Sequence, residues 1–201
     1  MTMDRPSIPD GYLNLMGYVD ESMVNGPGSR AVVWVQGCPR GCYHCFNPSS
    51  WSFAINQLAS IEEVSQWILR NPNNTGVTFS GGEPFWQAPA LAALARLVKE
   101  AGLNVMSFTG FTLEELRGHR APPGAGQLLE MLDLLIDGPY VEALAINSPD
   151  SPVSSGNQRL HIFNSQLQGD ISWASDQIEI HILKNGDRLV TGYRHYELDQ
   201  S

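Results

Sequence analysis

Three cysteines, Cys38, Cys42 and Cys45, fall within eight residues and are the only thiols of this 201-residue chain. They stand as Cys-x3-Cys-x2-Cys in the run Gly37-Cys38-Pro39-Arg40-Gly41-Cys42-Tyr43-His44-Cys45-Phe46-Asn47. A cubane iron–sulfur cluster takes one thiolate per iron, so a chain that offers three leaves one iron open to an outside ligand, and an open iron is a place for chemistry. Two other readings attach to the same residues. A disulfide with a spare thiol is opposed by the odd count and the lack of a secretory context. A Cys3His zinc site, closed by His44 or a distant histidine, is opposed by the placement of every thiol in one loop, since structural zinc usually draws its ligands from two separated knuckles.

A second segment suited to a ligand lies downstream. After the short apolar run Gly76-Val77-Thr78-Phe79 comes Ser80-Gly81-Gly82-Glu83-Pro84. Two glycines let the backbone approach a ligand closely and take angles closed to other residues, and Glu83 can accept hydrogen bonds from an ammonium. Alone the glycine pair reads as a turn. Its place, one helix and one strand after the cysteine loop, makes the two segments together resemble the signature of the radical S-adenosylmethionine (SAM) superfamily.

That resemblance implies a partial (β/α)6 barrel and a [4Fe-4S] cluster held by Cys38, Cys42 and Cys45, with SAM chelated at the fourth iron. The Gly81, Gly82 and Glu83 segment would hold SAM's methionine ammonium. One-electron reduction would break the sulfonium bond to the ribose 5′ carbon, giving methionine and a 5′-deoxyadenosyl radical that takes a hydrogen from the substrate.

Within the superfamily the chain is similar to the activating proteins of anaerobic ribonucleotide reductase and their glycyl-radical relatives. The similarity rests on Gly17-Tyr18-Val19-Asp20-Glu21-Ser22, Asn25 to Arg30, Trp34 to Pro39, Cys45-Phe46-Asn47-Pro48, Thr109 to Leu116, Asp137-Gly138-Pro139-Tyr140 and Asn157-Gln158-Arg159, spanning roughly residues 14–160. Val153-Ser154-Ser155-Gly156 and Pro139 depart from the family pattern, so substrate choice rests on fewer residues than cofactor choice. The partners implied are a large glycyl-radical enzyme subunit and an electron donor such as flavodoxin or ferredoxin. Thr109 falls in a matching segment at the cofactor side. His44 stands where relatives place an aromatic residue near the adenine, and equally reads as a solvated loop histidine. Asp137 would contact SAM or a cation, or cap a strand. Asn157, Gln158 and Arg159 would reach SAM's ribose or carboxylate, Arg159 by a bidentate contact, or form an exposed polar strand start. Two other functions stay open: a stand-alone radical SAM enzyme acting on a peptide or small metabolite, and a non-catalytic iron–sulfur or zinc-binding protein.

Composition narrows the setting. With 42% hydrophobic and 16% charged residues the chain is that of a folded globular protein, long enough for a substantial core. Its 21 acidic against 12 basic residues, net charge −9, disfavour a nucleic-acid partner. No apolar stretch approaches the roughly 20 residues that span a bilayer, and no basic segment leads into an apolar one at the N-terminus. A cytoplasmic protein without a membrane partner is expected.

The elements that must position these residues read as alternating strands and helices. Ala31 to Val35 leads as a strand into the cysteine loop. Ser60 and Glu63 form a capping box for a helix with Ile61, Val64, Trp67 and Ile68 on one face. Val77 to Phe79 is a strand. Pro89 opens a helix with Leu91, Leu94 and Val98 inward and Gly102 at its end. Leu103 to Phe108 is a strand, Thr112 and Glu115 box a short helix, Ala121 to Gly126 is loose, and Leu128 to Leu135 runs from helix into strand. A parallel sheet follows, whose cysteine loop, Gly81-Gly82-Glu83, Thr109-Gly110 and Asp137-Gly138 all sit after strands and so converge on one edge. Trp34, Trp51, Trp67 and Trp86 read as packing. Ser148 to Gly156 reads as a mobile surface loop, Arg159 to Phe163 as a strand, and Ile178 to Leu183 with Arg188 to Tyr193 as a hairpin around Lys184-Asn185-Gly186-Asp187. The whole, 1–201, is expected to be one α/β domain with a core at about 14–160 and C-terminal strands and hairpin at 159–195.

Overall fold

The computed structural model describes residues 7–146, 151–169, 171, 177–182 and 188–192. Its frame is a seven-stranded mixed sheet carrying helices, with a separate two-stranded hairpin. The strands are β1 (Tyr12–Ser22), β2 (Arg30–Val35), β3 (Gln57–Ser60), β4 (Gly76–Gly81), β5 (Asn104–Phe108), β6 (Leu134–Asp137) and β7 (Arg159–Ile162), in the order β3-β1-β2-β4-β5-β6-β7. The expectation of a parallel sheet holds for the centre alone: β2, β4, β5 and β6 are parallel, while β1, β3 and β7 join by antiparallel pairing. The sequence reading missed β1 and β3. In β1 the period-2 alternation is broken by register shifts beside Gly17 and before Ser22, and β3 is only four residues long, too short for a pattern.

Helices α1 (Ile61–Leu69), α2 (Ala88–Glu100) and α4 (Ala125–Met131) cover one face. Ser60 and Glu63 form the expected reciprocal box at the start of α1, and Thr112 with Glu115 does the same for the short α3 (Leu113–Arg117). Leu91, Leu94 and Val98 of α2 lie on one stripe, fully buried against Val33, Val77, Phe79 and Val105 of the sheet. α4 begins at Ala125, earlier than the sequence shows, inside the segment taken as loose; Gly124 enters it with φ +79, a conformation that hides the helix start from a propensity reading.

The opposite face of the sheet is also covered. Met106, Leu134 and Ile136 receive Val153, Leu160, Leu167 and Ile171, and Val19, Val32 and Trp34 receive Met16 and Leu189. The described part of the expected mobile loop, 151–156, is therefore packed. Ser155 is fully buried and bridges to Ala145, and Val153 packs on Met106, Leu134 and Ile136, an apolar site that composition alone does not reveal. Strands β8 (Ile178–Ile182) and β9 (Arg188–Gly192) pair antiparallel as expected of a hairpin; the Lys184 to Asp187 turn lies outside the described residues, as do 148–150, Leu183 and Tyr193. At the far, amino end of the parallel strands Arg30 is wholly buried, bonding Thr78, Asn104 and the carbonyls of Pro27 and Val77, so every side of its guanidinium is satisfied and the β2–β4–β5 ends are tied together. Among the described residues no helix is long and apolar enough to cross a membrane.

Candidate active site

The cysteine loop leaves the carboxyl end of β2 and returns through a single 3-10 turn, Pro48–Trp51. Backbone bonds fasten it at both ends: Gly37 N–H donates to Ser50 O (2.8 Å), Cys38 N–H to Trp51 O (3.2 Å), and Cys45 N–H to Cys42 O (3.2 Å). Gln36 adds side-chain bonds to Ser49 O (3.2 Å) and Ser52 O (2.8 Å), and the buried Gln87 amide donates to Gln36 O (3.0 Å). Gly37 (φ +102) and Gly41 (φ +55) take left-handed angles, and so does His44 (φ 53), the one non-glycine with positive φ among the described residues. This winding leaves all three cysteines free and half-buried. Burial raises the Cys38 and Cys42 thiols above the ordinary value, so a metal taking them as ligands must displace a proton from each.

The Gly81-Gly82-Glu83 segment lies directly against that loop. β4 runs parallel to β2, and Gly82 N–H donates to Val35 O (2.8 Å) while Glu83 N–H donates to Gly37 O (2.9 Å). A Cβ at Gly82 would stand 2.4 Å from Gly37 O, and one at Gly81, where φ is +100, would stand 2.5 Å from Val35 N. The glycines thus allow two backbones to touch.

Glu83 is 1% exposed and ties β4 to the turn after β5. Its carboxylate accepts from Thr109 Oγ1 (2.8 Å), Gly110 N–H (2.8 Å) and Phe85 N–H (3.1 Å). Burial pushes its carboxyl up to about 7, against the lowering effect of those donors. Between the ordinary 4.5 and about 7 the folded chain holds a proton that the unfolded chain has released. Stability from this group is therefore full below 4.5 and is lost as pH rises to about 7, by about 3 kcal/mol. Urea unfolding of the apo chain from pH 5 to pH 8 is expected to show this fall in the wild type minus Glu83→Gln difference; a flat difference contradicts it.

Asp137 and Arg159 meet across the β6–β7 pair. Arg159 bonds Asp137 through Nε (3.1 Å) and Nη2 (2.5 Å), and forks onto Glu114 at 3.0 and 2.6 Å. Leu113 N–H (2.6 Å) also reaches the fully buried Asp137, and His161 Nε2 lies 3.1 Å from it. Burial pushes the Asp137 carboxyl up, but Arg159, the Leu113 amide and His161 together pull it below its usual value. The Arg159 guanidinium thus spends its fork on two carboxylates of its own chain. Asn157 Nδ2 donates to Pro139 O (2.7 Å) and Gln158 Nε2 to Gly138 O (3.1 Å), bracing the loop after β6. His44 stacks on Tyr43, ring centroids 4.1 Å apart, and pairs through Nδ1 with Glu142.

One cavity of about 300 Å³ opens at the carboxyl ends of the parallel strands. It brings together Cys38, Cys42, Cys45, Gly81, Gly82, Glu83 and Thr109, with Gly138 and Gln158 at its wall; His44, Asp137, Asn157 and Arg159 are not on its lining. Two contributors were not singled out from sequence. Arg40, a lone cation between two cysteines, lines the cavity, lies 4.1 Å over the Phe111 ring and pairs with Glu115 at 2.9 Å, fastening the cysteine loop to the start of α3. Leu189 to Gly192 of β9 form another part of the wall, and no local pattern could place a distant hairpin there.

One loop carries three free thiols that line the same cavity as the Gly81–Gly82 backbone, a donor set that could hold three irons of a cubane cluster and leave the fourth to a small ligand. The description "4Fe-4S single cluster domain" belongs to the family model that matches residues 24–161. An anaerobic ribonucleoside-triphosphate reductase-activating protein of Pasteurella multocida is 33% identical over 138 residues, covering 64% of this chain and 84% of that protein. One of the same name from Vibrio cholerae is 30% identical over 161 residues, covering 75% of this chain and 99% of that protein. A pyruvate formate-lyase-activating enzyme of Clostridium pasteurianum is 39% identical over 87 residues, 41% of this chain and 37% of that protein. The chain belongs to the 4Fe-4S single cluster domain family, among the glycyl-radical-activating radical SAM enzymes. Its cofactors are a [4Fe-4S] cluster and SAM, and the zinc, disulfide and non-catalytic readings give way to these. The residues present suit that pair: three thiols for three irons, lining one cavity with the backbone of Gly81 and Gly82.

Proposed function

We propose that this chain generates a glycyl radical on the large subunit of an anaerobic ribonucleotide reductase. The observation that carries the reading is the shared cavity: the three thiols and the Gly81–Gly82 cradle line one space, in a chain whose matched relatives bear that activator's name. When bound, the cluster and SAM supply a one-electron reductive cleavage that yields methionine and a hydrogen-abstracting 5′-deoxyadenosyl radical. Cys38, Cys42 and Cys45 hold three irons, and the backbone at Gly81 and Gly82 receives the methionine end of SAM. Glu83 acts here mainly by fixing that backbone to Thr109 and Gly110, with one carboxylate edge toward the ammonium. Asp137 and Arg159 hold the β6–β7 ends in register, and Asn157 and Gln158 shape the loop above, so their part in SAM binding runs through Gly138 and its neighbours. His44, paired with Glu142, sets the outer side of the cysteine loop toward the adenine.

The seven-stranded sheet fits an open, partial (β/α)6 barrel, with residues 1–201 as one domain. A flavodoxin or ferredoxin is the electron donor, and the cytoplasm, whose thiols stay reduced, the setting. Anaerobic incubation of the reconstituted chain with SAM, reductant and the reductase large subunit is expected to give a glycine-centred radical on that subunit by electron paramagnetic resonance. SAM cleavage with no such radical points instead to a stand-alone enzyme acting on a peptide or metabolite.

A further inference from the structure

The β8–β9 hairpin lies beyond residue 161, where the family match ends, so the shared cofactor chemistry does not call for it. It is nonetheless built into the cavity. Leu189 packs with Val19, Val32 and Trp34, and Leu189 to Gly192 line the same space as the cluster cysteines. Thr191 is buried, accepting from Asn25 Nδ2 (2.8 Å) and lying 3.1 Å from Asn25 Oδ1, and Glu179 accepts from Met23 N–H (2.7 Å). Gly192 sits so close that a Cβ there would come within 2.8 Å of Val24 Cγ2. These contacts fix the hairpin to the β1–β2 connection.

The outer face is open and largely aliphatic, with exposed Arg188 opposite Ile182 at its end. Strand alternation turns Glu179, His181, Leu189 and Thr191 toward the body and leaves Ile180, Ile182 and Val190 at 58%, 68% and 56% exposure, Val190 at the edge where the face meets the cavity rim. Ile180 stands opposite Val190 in the pairing, so the aliphatic surface is continuous across both strands. Side chains this exposed add little to the hairpin's own stability, and grouped apolar surface on a chain of net charge −9 marks a contact site.

We propose that this outer face, Ile180 with Ile182 and Val190, is a docking surface for the protein whose glycine enters the adjoining cavity. The inference rests on the reading that the substrate is a protein backbone. A glycine Cα can reach the cavity only if the surrounding partner surface settles on its rim, and β9 supplies both rim and apolar face. The partner's matching surface is therefore apolar and lies beside its glycine-bearing loop.

The test uses the full reconstituted chain, wild type and Ile180→Asp/Ile182→Asp, with the anaerobic ribonucleotide reductase large subunit of the same organism as probe. Both residues lie off the cavity lining, so iron content and partner-free SAM cleavage with dithionite are expected to stay as in wild type. The dissociation constant for the subunit is expected to rise about tenfold or more, with glycyl-radical yield falling at sub-saturating subunit. Unchanged affinity in the double variant, beside normal wild-type activation, overturns the docking surface alone. So does a variant that loses iron or partner-free cleavage, which makes the hairpin a folding element, and so does a changed oligomeric state of the chain with unchanged affinity, which assigns the face to a second copy. A wild-type chain that neither binds nor activates the subunit overturns the partner reading, and the docking surface with it.

Discussion

Replacing Cys42 by alanine is expected to strip the chain of its cluster and cut 5′-deoxyadenosine formation by about 100-fold or more. The size follows from the ligand count. With three thiols in the whole sequence, no spare cysteine can take the vacated place. Loss of a mere outer partner of a metal ligand commonly costs about 10–100-fold in affinity or activity, and a missing ligand costs at least the upper end of that range. The surrounding loop should survive, because its fastening runs through Gly37, Cys38 and Gln36 to Ser49–Ser52 and not through the Cys42 side chain. Iron and sulfide analysis with a far-ultraviolet circular dichroism spectrum separates the two effects: native secondary structure with little iron is the expected pair. A Cys42→Ala chain that retains wild-type iron and SAM cleavage contradicts the site.

Gly82→Ala is expected to be strongly damaging for a single added methyl group. The added Cβ would meet the Gly37 carbonyl at 2.4 Å, and neither side is a flexible side chain that can swing away. The relief must come from separating the β4 end from the cysteine loop, which breaks the Glu83 N–H to Gly37 O bond and shifts Cys38 with it. Overpacking of this kind costs about 3 kcal/mol, or roughly 6–12 °C in Tm for a chain of this size. Cofactor chemistry suffers further, since a misplacement of about 1 Å can cost about 100-fold in rate. Gly41→Ala is the control: its φ of +55 carries a conformational penalty of about 1–2 kcal/mol, but a Cβ there has no neighbour within 4 Å. Thermal unfolding of both apo variants should rank Gly82→Ala well below Gly41→Ala; equal melting temperatures would falsify the close-approach account.

Local chemistry made much of this molecule legible. Both capping boxes appear at Ser60 and Thr112, the apolar stripe of α2 is the buried one, and the four loops after parallel strands converge because a parallel sheet sends every such loop to the same edge. Cys38, Cys42 and Cys45 with Gly81 and Gly82 were readable because each residue type does something its substitutes cannot. Side-chain partners were less legible. Asp137 and Arg159 look like ligand groups in isolation, yet β6 and β7 place them opposite each other in register, a long-range fact invisible to spacing. Arg40 became meaningful once Phe111 and Glu115 stood beneath it, 71 and 75 positions along the chain. β1 stayed hidden because its bulges break the alternation that marks a strand, and the role of the hairpin depends on a pair, Asn25 and Thr191, separated by 166 positions.

The most direct test of the central claim is to count 5′-deoxyadenosine and glycine-centred radical together in one anaerobic reaction of the reconstituted chain, SAM, reductant and the reductase large subunit. One 5′-deoxyadenosine above the partner-free background for each glycine-centred radical, with neither formed by the Cys42→Ala chain, is the predicted result. 5′-Deoxyadenosine accumulating while the subunit's glycine stays diamagnetic would contradict it.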